Sequence, residues 1–340
     1  MFIKTLSLKK LNMIQSNIDN ISEKQWTELS KCNTANFFQS KVALHFFESV
    51  GTEVFTFALE KDKEIVVFLS GIIQKEKGVK AGLTSRAIIY GGPIISDNAE
   101  EKNILEVLTY AVSYLKKKAI YIEMRNLNDY GDYKEVFKKA GFEYVPHLNF
   151  HLNCVDEAVM RKRMSSSKLR QVKKSLKEGA EIKEAQDQNE IEAYYAILEN
   201  LYKTKVKTPL PNLDYFIRMW KDKVAKFFLI IYKEEVLGGI VCPVLDNKVI
   251  YEWFVCGKDG VYKNIYPSIL ATWAAMDYAV KNKIPRFDFM GAGKPDEDYG
   301  VREFKSKFGG EQVEHGRFLN VTQPLLYKVG KTAVKILKSI

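Results

Sequence analysis

The chain runs through one folding programme twice. In its first half, strand patterns over residues 53–59 and 65–73 lead through a Gly-Gly-Pro-interrupted apolar run at 88–95. A helix over 100–117, a buried strand over 119–124 and a short basic helix over 133–140 follow. In the second half, strands over 227–232, 236–245 and 249–255 lead to a helix over 267–281, a strand over 287–290 and a short helix around 302–308. Each short helix stops at glycine before a closing strand. Val136-Phe137-Lys138-Lys139-Ala140-Gly141-Phe142-Glu143 matches Phe304-Lys305-Ser306-Lys307-Phe308-Gly309-Gly310-Glu311 in pattern rather than identity. A degenerate repeat of this kind specifies two α/β (α+β) domains, each a mixed sheet flanked by helices, and 340 residues suit two domains. The expected boundaries are 1–155, 156–322 and a basic amphipathic helix over 323–340. Further helices are expected from Ser22, a capping-box serine with Gln25, and over 41–49, 168–178, 189–202 and 213–221. A last strand is expected over 312–319.

The net charge of +10 attracts anions, whether nucleic acid, a phosphorylated substrate or a membrane surface. No apolar run reaches the roughly 20 residues of a membrane span, and the N-terminus lacks a signal-peptide pattern. The four cysteines lie far apart and form no C-x-x-C pair, which speaks against a zinc cage or a disulfide framework and fits a reducing cytoplasm. The densest cation cluster, Arg161 to Lys174, contains Arg170 and Lys173 on neighbouring helical turns. It reads as a phosphate or RNA contact or, equally, as a solvated face at a domain junction. The tail after Pro324 places Leu326, Val329, Ala333, Ile336 and Ile340 at helical spacing, suited to packing on its own domain or to resting on an anionic membrane.

Several chemistries are missing. There is no G-x-x-x-x-G-K-[ST] loop, no G-x-G-x-x-G fingerprint, no H-E-x-x-H pair and no G-x-S-x-G elbow. His147 and His151 are read as structural, and no metal site is indicated. Arg302 and Lys305, one helical turn apart beyond the apolar strand that ends at Gly291, put two cations on one helix face. That suits a phosphate or a developing oxyanion. What remains is chemistry of positioning and charge, such as direct transfer of an activated acyl group to an amine.

The second half resembles the Fem-type aminoacyltransferases, which build peptidoglycan cross-bridges and form a tandem branch of the GNAT acyltransferase fold. The resemblance rests on Leu169-Arg170-Gln171-Val172-Lys173-Lys174-Ser175 before Gly179, Leu201-Tyr202-Lys203-Thr204-Lys205, and Tyr266-Pro267-Ser268-Ile269-Leu270 with Trp273. It also rests on Phe287 to Gly291 and on Phe304-Lys305-Ser306-Lys307-Phe308-Gly309. Phe37-Phe38-Gln39-Ser40 and Tyr90-Gly91-Gly92-Pro93 extend it more weakly into the first half. It implies two tandem GNAT-like domains with mostly antiparallel sheets and a cytoplasmic acyl- or aminoacyltransferase acting on an amine of a peptidoglycan precursor. It also implies an aminoacyl-tRNA or acyl-CoA donor and no bound cofactor. The [RQ]-x-x-G-x-[GA] turn that holds coenzyme A has only a distant echo in Cys256-Gly257-Lys258-Asp259-Gly260, which favours aminoacyl-tRNA. The helical arm inserted in some relatives is absent.

The candidate catalytic residues are then Lys305 as oxyanion donor, Arg302 in support, and Glu252 and Asp288 as carboxylates for the amine proton; for Asp288 a structural role is the favoured alternative. Candidate substrate contacts are Gln39, Lys41, Tyr90, Arg170, Lys173, Tyr251 and Trp253. The expected partners are aminoacyl-tRNA, a phosphorylated, UDP- or lipid-linked muropeptide, and a membrane surface through the last helix. The alternatives are an acyl-CoA-dependent N-acyltransferase and a non-catalytic tRNA- or anion-binding relative.

Overall fold

The structure, a computed structural model, describes residues 12–15, 18–75 and 84–330. Through Val145 the elements are β1 (Asn12–Gln15), α1 (Glu23–Lys31), α2 (Lys41–Ser49), β2 (Glu53–Lys61), β3 (Glu64–Gln74) and β4 (Arg86–Tyr90). Then come β5 (Ile94–Ile95), α3 (Glu101–Leu115), β6 (Tyr121–Arg125), α4 (Lys134–Lys139) and β7 (Glu143–Val145). The chain continues with β8 (Asn149–Asn153), α5 (Glu157–Arg163), α6 (Ser166–Lys177), β9 (Glu181–Glu184), α7 (Gln188–Leu201) and α8 (Leu213–Lys221). β10 (Lys226–Tyr232), β11 (Glu235–Cys242), β12 (Val244–Leu245), β13 (Val249–Tyr251) and β14 (Phe254–Gly257) follow. α9 (Pro267–Lys281), β15 (Arg286–Asp288), α10 (Gly300–Ser306), β16 (Glu311–Val313) and β17 (Arg317–Val321) complete it.

Two compact units result, one reaching Val145 and resuming at His315, the other spanning Pro146–Glu314. The expected boundaries after 155 and 322 are therefore displaced by one strand each. The reason is local. The closing strand expected after Gly141 is broken at Pro146, which has no N–H for a ladder, and the one expected over 312–319 is broken between Val313 and Arg317. β7 pairs with β17, and β17 with β6, in the first unit. β8 lies between β15 and β16 in the second.

The repeat is visible as topology. In the first unit β2, β3 and β4 are antiparallel neighbours, α3 crosses over, and β6 lies parallel to β4. In the second, β9, β10, β11 and β14 are antiparallel neighbours. There α9 crosses over, and β15 lies parallel to β13. Both units break just after the strand preceding the crossover helix. In the first, Gly91-Gly92-Pro93 diverts the chain so that β5 pairs with β3. In the second, the strand expected over 249–255 splits at Glu252 and Trp253. β13 stays with β15, while β14 pairs with β11 in a separate sheet.

Local sequence explains where helices of each unit begin. α1 starts on a complete Ser22/Gln25 capping box. α9 carries Pro267 at its first position, where a missing N–H costs nothing. It is apolar almost all round, with Ile269, Leu270, Trp273, Ala274, Ala275, Met276 and Ala279 all buried. Such a helix belongs inside a domain, and its alanines let it lie close to the strands of the second core. No described helix is long and apolar enough to cross a membrane. Residues 324–330 are helical and leave Leu325 and Val329 exposed. Ala333, Ile336 and Ile340 of the expected tail helix lie outside the described residues.

α10 is locked to the turn between α5 and α6. The Ser165 N–H donates to Lys307 O at 2.9 Å. Gly309 lies in the left-handed region (φ +86°), where an added Cβ would come 2.5 Å from the Arg163 carbonyl carbon. The carbonyl carbon and oxygen of Arg163 are backbone and cannot yield. Gly309→Ala is therefore expected to cost about 3 kcal/mol, read as a lowered urea midpoint with unchanged slope.

Candidate active site

The turn that follows β15 is held at nearly every backbone group. The Phe289 N–H donates to Phe150 O at 3.1 Å and the Ala292 N–H to Leu148 O at 2.7 Å. The Met290 N–H donates to Asp288 Oδ1 (2.7 Å) and the Gly291 N–H to Asn149 Oδ1 (2.7 Å). On the carbonyl side, Lys305 Nζ donates to Phe289 O (2.5 Å) and Gly291 O (3.0 Å). Arg302 donates to Ala292 O at 2.9 Å and to Lys294 O. Met290 is thereby kept at φ +55°, a region a side chain enters only when its surroundings dictate it.

Lys305 reaches across this turn to Glu252 Oε1 at 3.0 Å. Both are buried, at 8% and 4% exposure. All three ammonium hydrogens thus have acceptors: one carboxylate and two carbonyls. Glu252 sits where β13 and β14 part, and its N–H is fixed by Asp288 O at 2.9 Å. Its second oxygen accepts from Thr272 Oγ1 of α9 at 3.3 Å. Burial pushes the Glu252 carboxyl above the usual glutamate range, the nearby Asp288 charge adds to this, and Lys305 and Thr272 oppose it. The site is therefore a buried ion pair at the split of the sheet, at the carboxyl end of the parallel strands, where α/β folds place their ligands.

Asp288 is fully buried beside this pair. Oδ1 accepts from Asn149 Nδ2 (2.8 Å) as well as Met290, and Oδ2 lies 3.1 Å from His151 Nε2. Burial alone would raise its carboxyl. The His151 hydrogen bond and charge, Arg286 and Asn149 outweigh burial and leave it below the ordinary aspartate value. This acid fastens the turn.

The structure brings Lys305, Glu252 and Asp288 together with Tyr251, which is buried opposite Asp288 in the β13–β15 register. Arg302, also on α10, is taken up by carbonyls at the end of that turn. Trp253 turns onto Tyr215 and Phe254 (ring centroids 6.3 and 5.1 Å). Arg170 and Lys173 are exposed on α6. Gln39, expected as a substrate contact, is 1% exposed. Its amide donates to Tyr90 O (2.8 Å) and Gly92 O and accepts from Ser70 N–H (2.9 Å), so both amide hydrogens are occupied inside the first unit. Lys41 pairs with Glu23 on that unit's surface. Tyr90 packs at a tilt against Phe38 (ring centroids 4.9 Å) with Arg125 over its ring (5.5 Å). Thr272, Asn149 and His151 are part of the site but were not singled out as site residues. Its place as the one polar residue among the buried positions of α9 was a readable signal for Thr272. Asn149 and His151 gave none, because they depend on which strands flank β8.

Comparison with known proteins agrees with this architecture. The profile of the FemAB family matches residues 230–335. A crystal structure of FemX superposes at TM-score 0.72 with 13% identity, covering 94% of this chain and 99% of that one. A tandem GNAT protein from the clavulanic acid biosynthesis pathway gives 0.58 at 9% identity, over 92% and 99%. L-PGS from Bacillus licheniformis gives 0.58 at 12% identity, over 92% and 96%. No curated protein matches the sequence. Residues 230–335 thus resemble the FemAB family, and the chain as a whole has the fold of FemX and of the tandem GNAT protein.

Proposed function

We propose that the chain transfers an aminoacyl group from aminoacyl-tRNA to an amine of a peptidoglycan-precursor-like acceptor, in the cytoplasm where charged tRNA is made. The observation that carries this reading is the buried Lys305–Glu252 pair at the split between β13 and β14. The acceptor amine attacks the ester carbonyl, and Glu252, a carboxylate held above its usual range, takes the amine proton. Lys305 supplies positive charge to the oxyanion. Its longer carbonyl contact, to Gly291 O at 3.0 Å, is the one an incoming oxygen shares. The carbon–oxygen bond to the tRNA ribose then breaks, and the proton on Glu252 passes to the ribose oxygen. Asp288, Asn149 and Arg302 position the turn that holds Lys305.

The first turn of α9 supports this donor over acyl-CoA. A pyrophosphate at that helix start would need its free N–H groups. Here Asp259 Oδ1 already accepts from the Ser268 N–H at 3.2 Å, placing a negative charge there. An added Cβ on Gly257 would lie 2.5 Å from the same nitrogen, so strand and helix start are in contact.

The test offers the full-length protein tRNA charged with radiolabelled amino acids, or radiolabelled acetyl-CoA, each with a UDP-linked muropeptide. Label is expected on the peptide amine from tRNA and not from acetyl-CoA. Transfer from acetyl-CoA alone would overturn the donor assignment.

A further inference from the structure

Lys168, in the first turn of α6, is a buried cation without a counter-ion. It is 8% exposed, and among the described residues neither a carboxylate nor a carbonyl meets its ammonium. Nζ lies over two rings of the α10 segment, 4.1 Å from the centroid of Phe304 and 5.5 Å from that of Phe308. Burial and the nearby Lys307 charge both disfavour its charged form, against a smaller pull from Asp259. A charge taken out of water without a partner is costly, and an anion that binds beside it removes the cost.

The surroundings suit an anion. Helix side chains lean toward the helix N-terminus, so Lys168 reaches back over the start of α6. Ser165 caps that start, its Oγ accepting the Lys168 N–H at 3.4 Å. Among the described residues the N–H groups of Ser166 and Ser167 have no protein acceptor. The bond from Ser165 to Lys307 O fixes this first turn against α10. On the opposite, exposed face of α6 lie Arg170, Lys173, Lys174 and Lys177, with no acidic partner among the described residues. One phosphate would need only Lys168, whereas a row of cations along a 12-residue helix suits a chain of phosphates.

We propose that Lys168 and the first turn of α6 form a phosphate-binding site that takes a backbone phosphodiester from the single-stranded end of the acyl donor, while Arg170 and Lys173, on the exposed face of the same helix, meet further phosphates of that strand. The proposal rests on the aminoacyl-tRNA reading above. Phe304 carries Lys168 on its ring and is the immediate neighbour of Lys305, so the same short helix links the phosphate to the transfer centre.

The test is fluorescence anisotropy with the full-length protein and a labelled single-stranded RNA ending in CCA, titrated with salt. Tritiated coenzyme A and inorganic phosphate are assayed separately. Lys168→Met is expected to weaken RNA binding about tenfold and to reduce the salt slope by about 0.7. Lys173→Met, on the exposed face and harmless to folding, should reduce the slope similarly. Lys117→Met, an exposed lysine of the first unit, should change neither, and Lys168→Arg should retain most of the affinity. Wild-type RNA binding in both Lys168→Met and Lys173→Met overturns the site. Lys168-dependent binding of coenzyme A or phosphate without RNA binding keeps the site and overturns the tRNA reading. Failure of the wild-type protein to bind any of the three overturns both.

Discussion

Lys305→Met is expected to reduce turnover about a hundredfold, the usual loss when one preorganised oxyanion donor is removed, corresponding to about 3 kcal/mol. The substitution also breaks a buried pair. Glu252 would be left without its cation among apolar neighbours, at a cost of about 3–5 kcal/mol unless it takes up a proton. It will take one up readily, because burial already holds its carboxyl above the usual range and Lys305 is the main influence opposing that. The two effects separate on a pH–rate profile. If Glu252 is the base, activity falls as pH drops through its pKa. Removing Lys305 raises that pKa further, so the acidic limb of the residual activity moves to higher pH. An unmoved limb would exclude Glu252 as the base even if the rate fell. Lys305→Arg should not restore activity. A flat guanidinium fork cannot meet one carboxylate and two carbonyls arranged around a single ammonium. A wild-type rate in Lys305→Met would remove the residue from the transfer step.

The sequence showed the elements more clearly than the partners. The helices over 41–49, 213–221 and 267–281 lie where periodicity and capping put them, because those signals are local. The closing strands were found as strands but not as members of particular sheets. β8 and β17 each join a unit other than the one sequence order suggests, and nothing in a period of two records which edge a strand will meet. The same limit hid the split at Glu252. Val249 to Val255 reads as one apolar strand, and only the divergence of its two neighbours, β15 and β11, shows where it opens. At the site, the R-x-x-K spacing was legible, but its division of labour was not. Lys305 turns inward to a carboxylate 53 positions earlier, while Arg302 is drawn to carbonyls of the preceding loop. Both outcomes depend on a turn whose shape is set by Asn149 of the neighbouring strand β8.

Exchange of β17 into the first unit produces the second large expected effect. In the β6–β17 register, Arg317 stands directly opposite Arg125, a like-charge pair that would destabilise the ladder on its own. Glu123 resolves it. Its carboxylate lies 2.9 Å from Arg125 Nε and 2.7 Å from Arg317 Nη1, and its side chain is only 15% exposed. Burial alone would raise this carboxyl, but the two guanidinium charges and their hydrogen bonds pull it down to about 2. The folded value lies below that of an unfolded glutamate. The stabilisation is therefore complete above about pH 4.5 and drains away as pH falls from there toward 2, amounting to about 3 kcal/mol. Glu123→Gln should lose at least that much at neutral pH, since it also leaves two arginines facing each other unneutralised. Its stability should then depend less on pH between 4.5 and 2 than the wild type's. Replacing Arg317 with Met in the same chain should recover part of the loss by removing the like-charge pair. Urea unfolding at several pH values measures all three. An unchanged acid dependence in Glu123→Gln would show that the carboxylate does not hold the inserted strand.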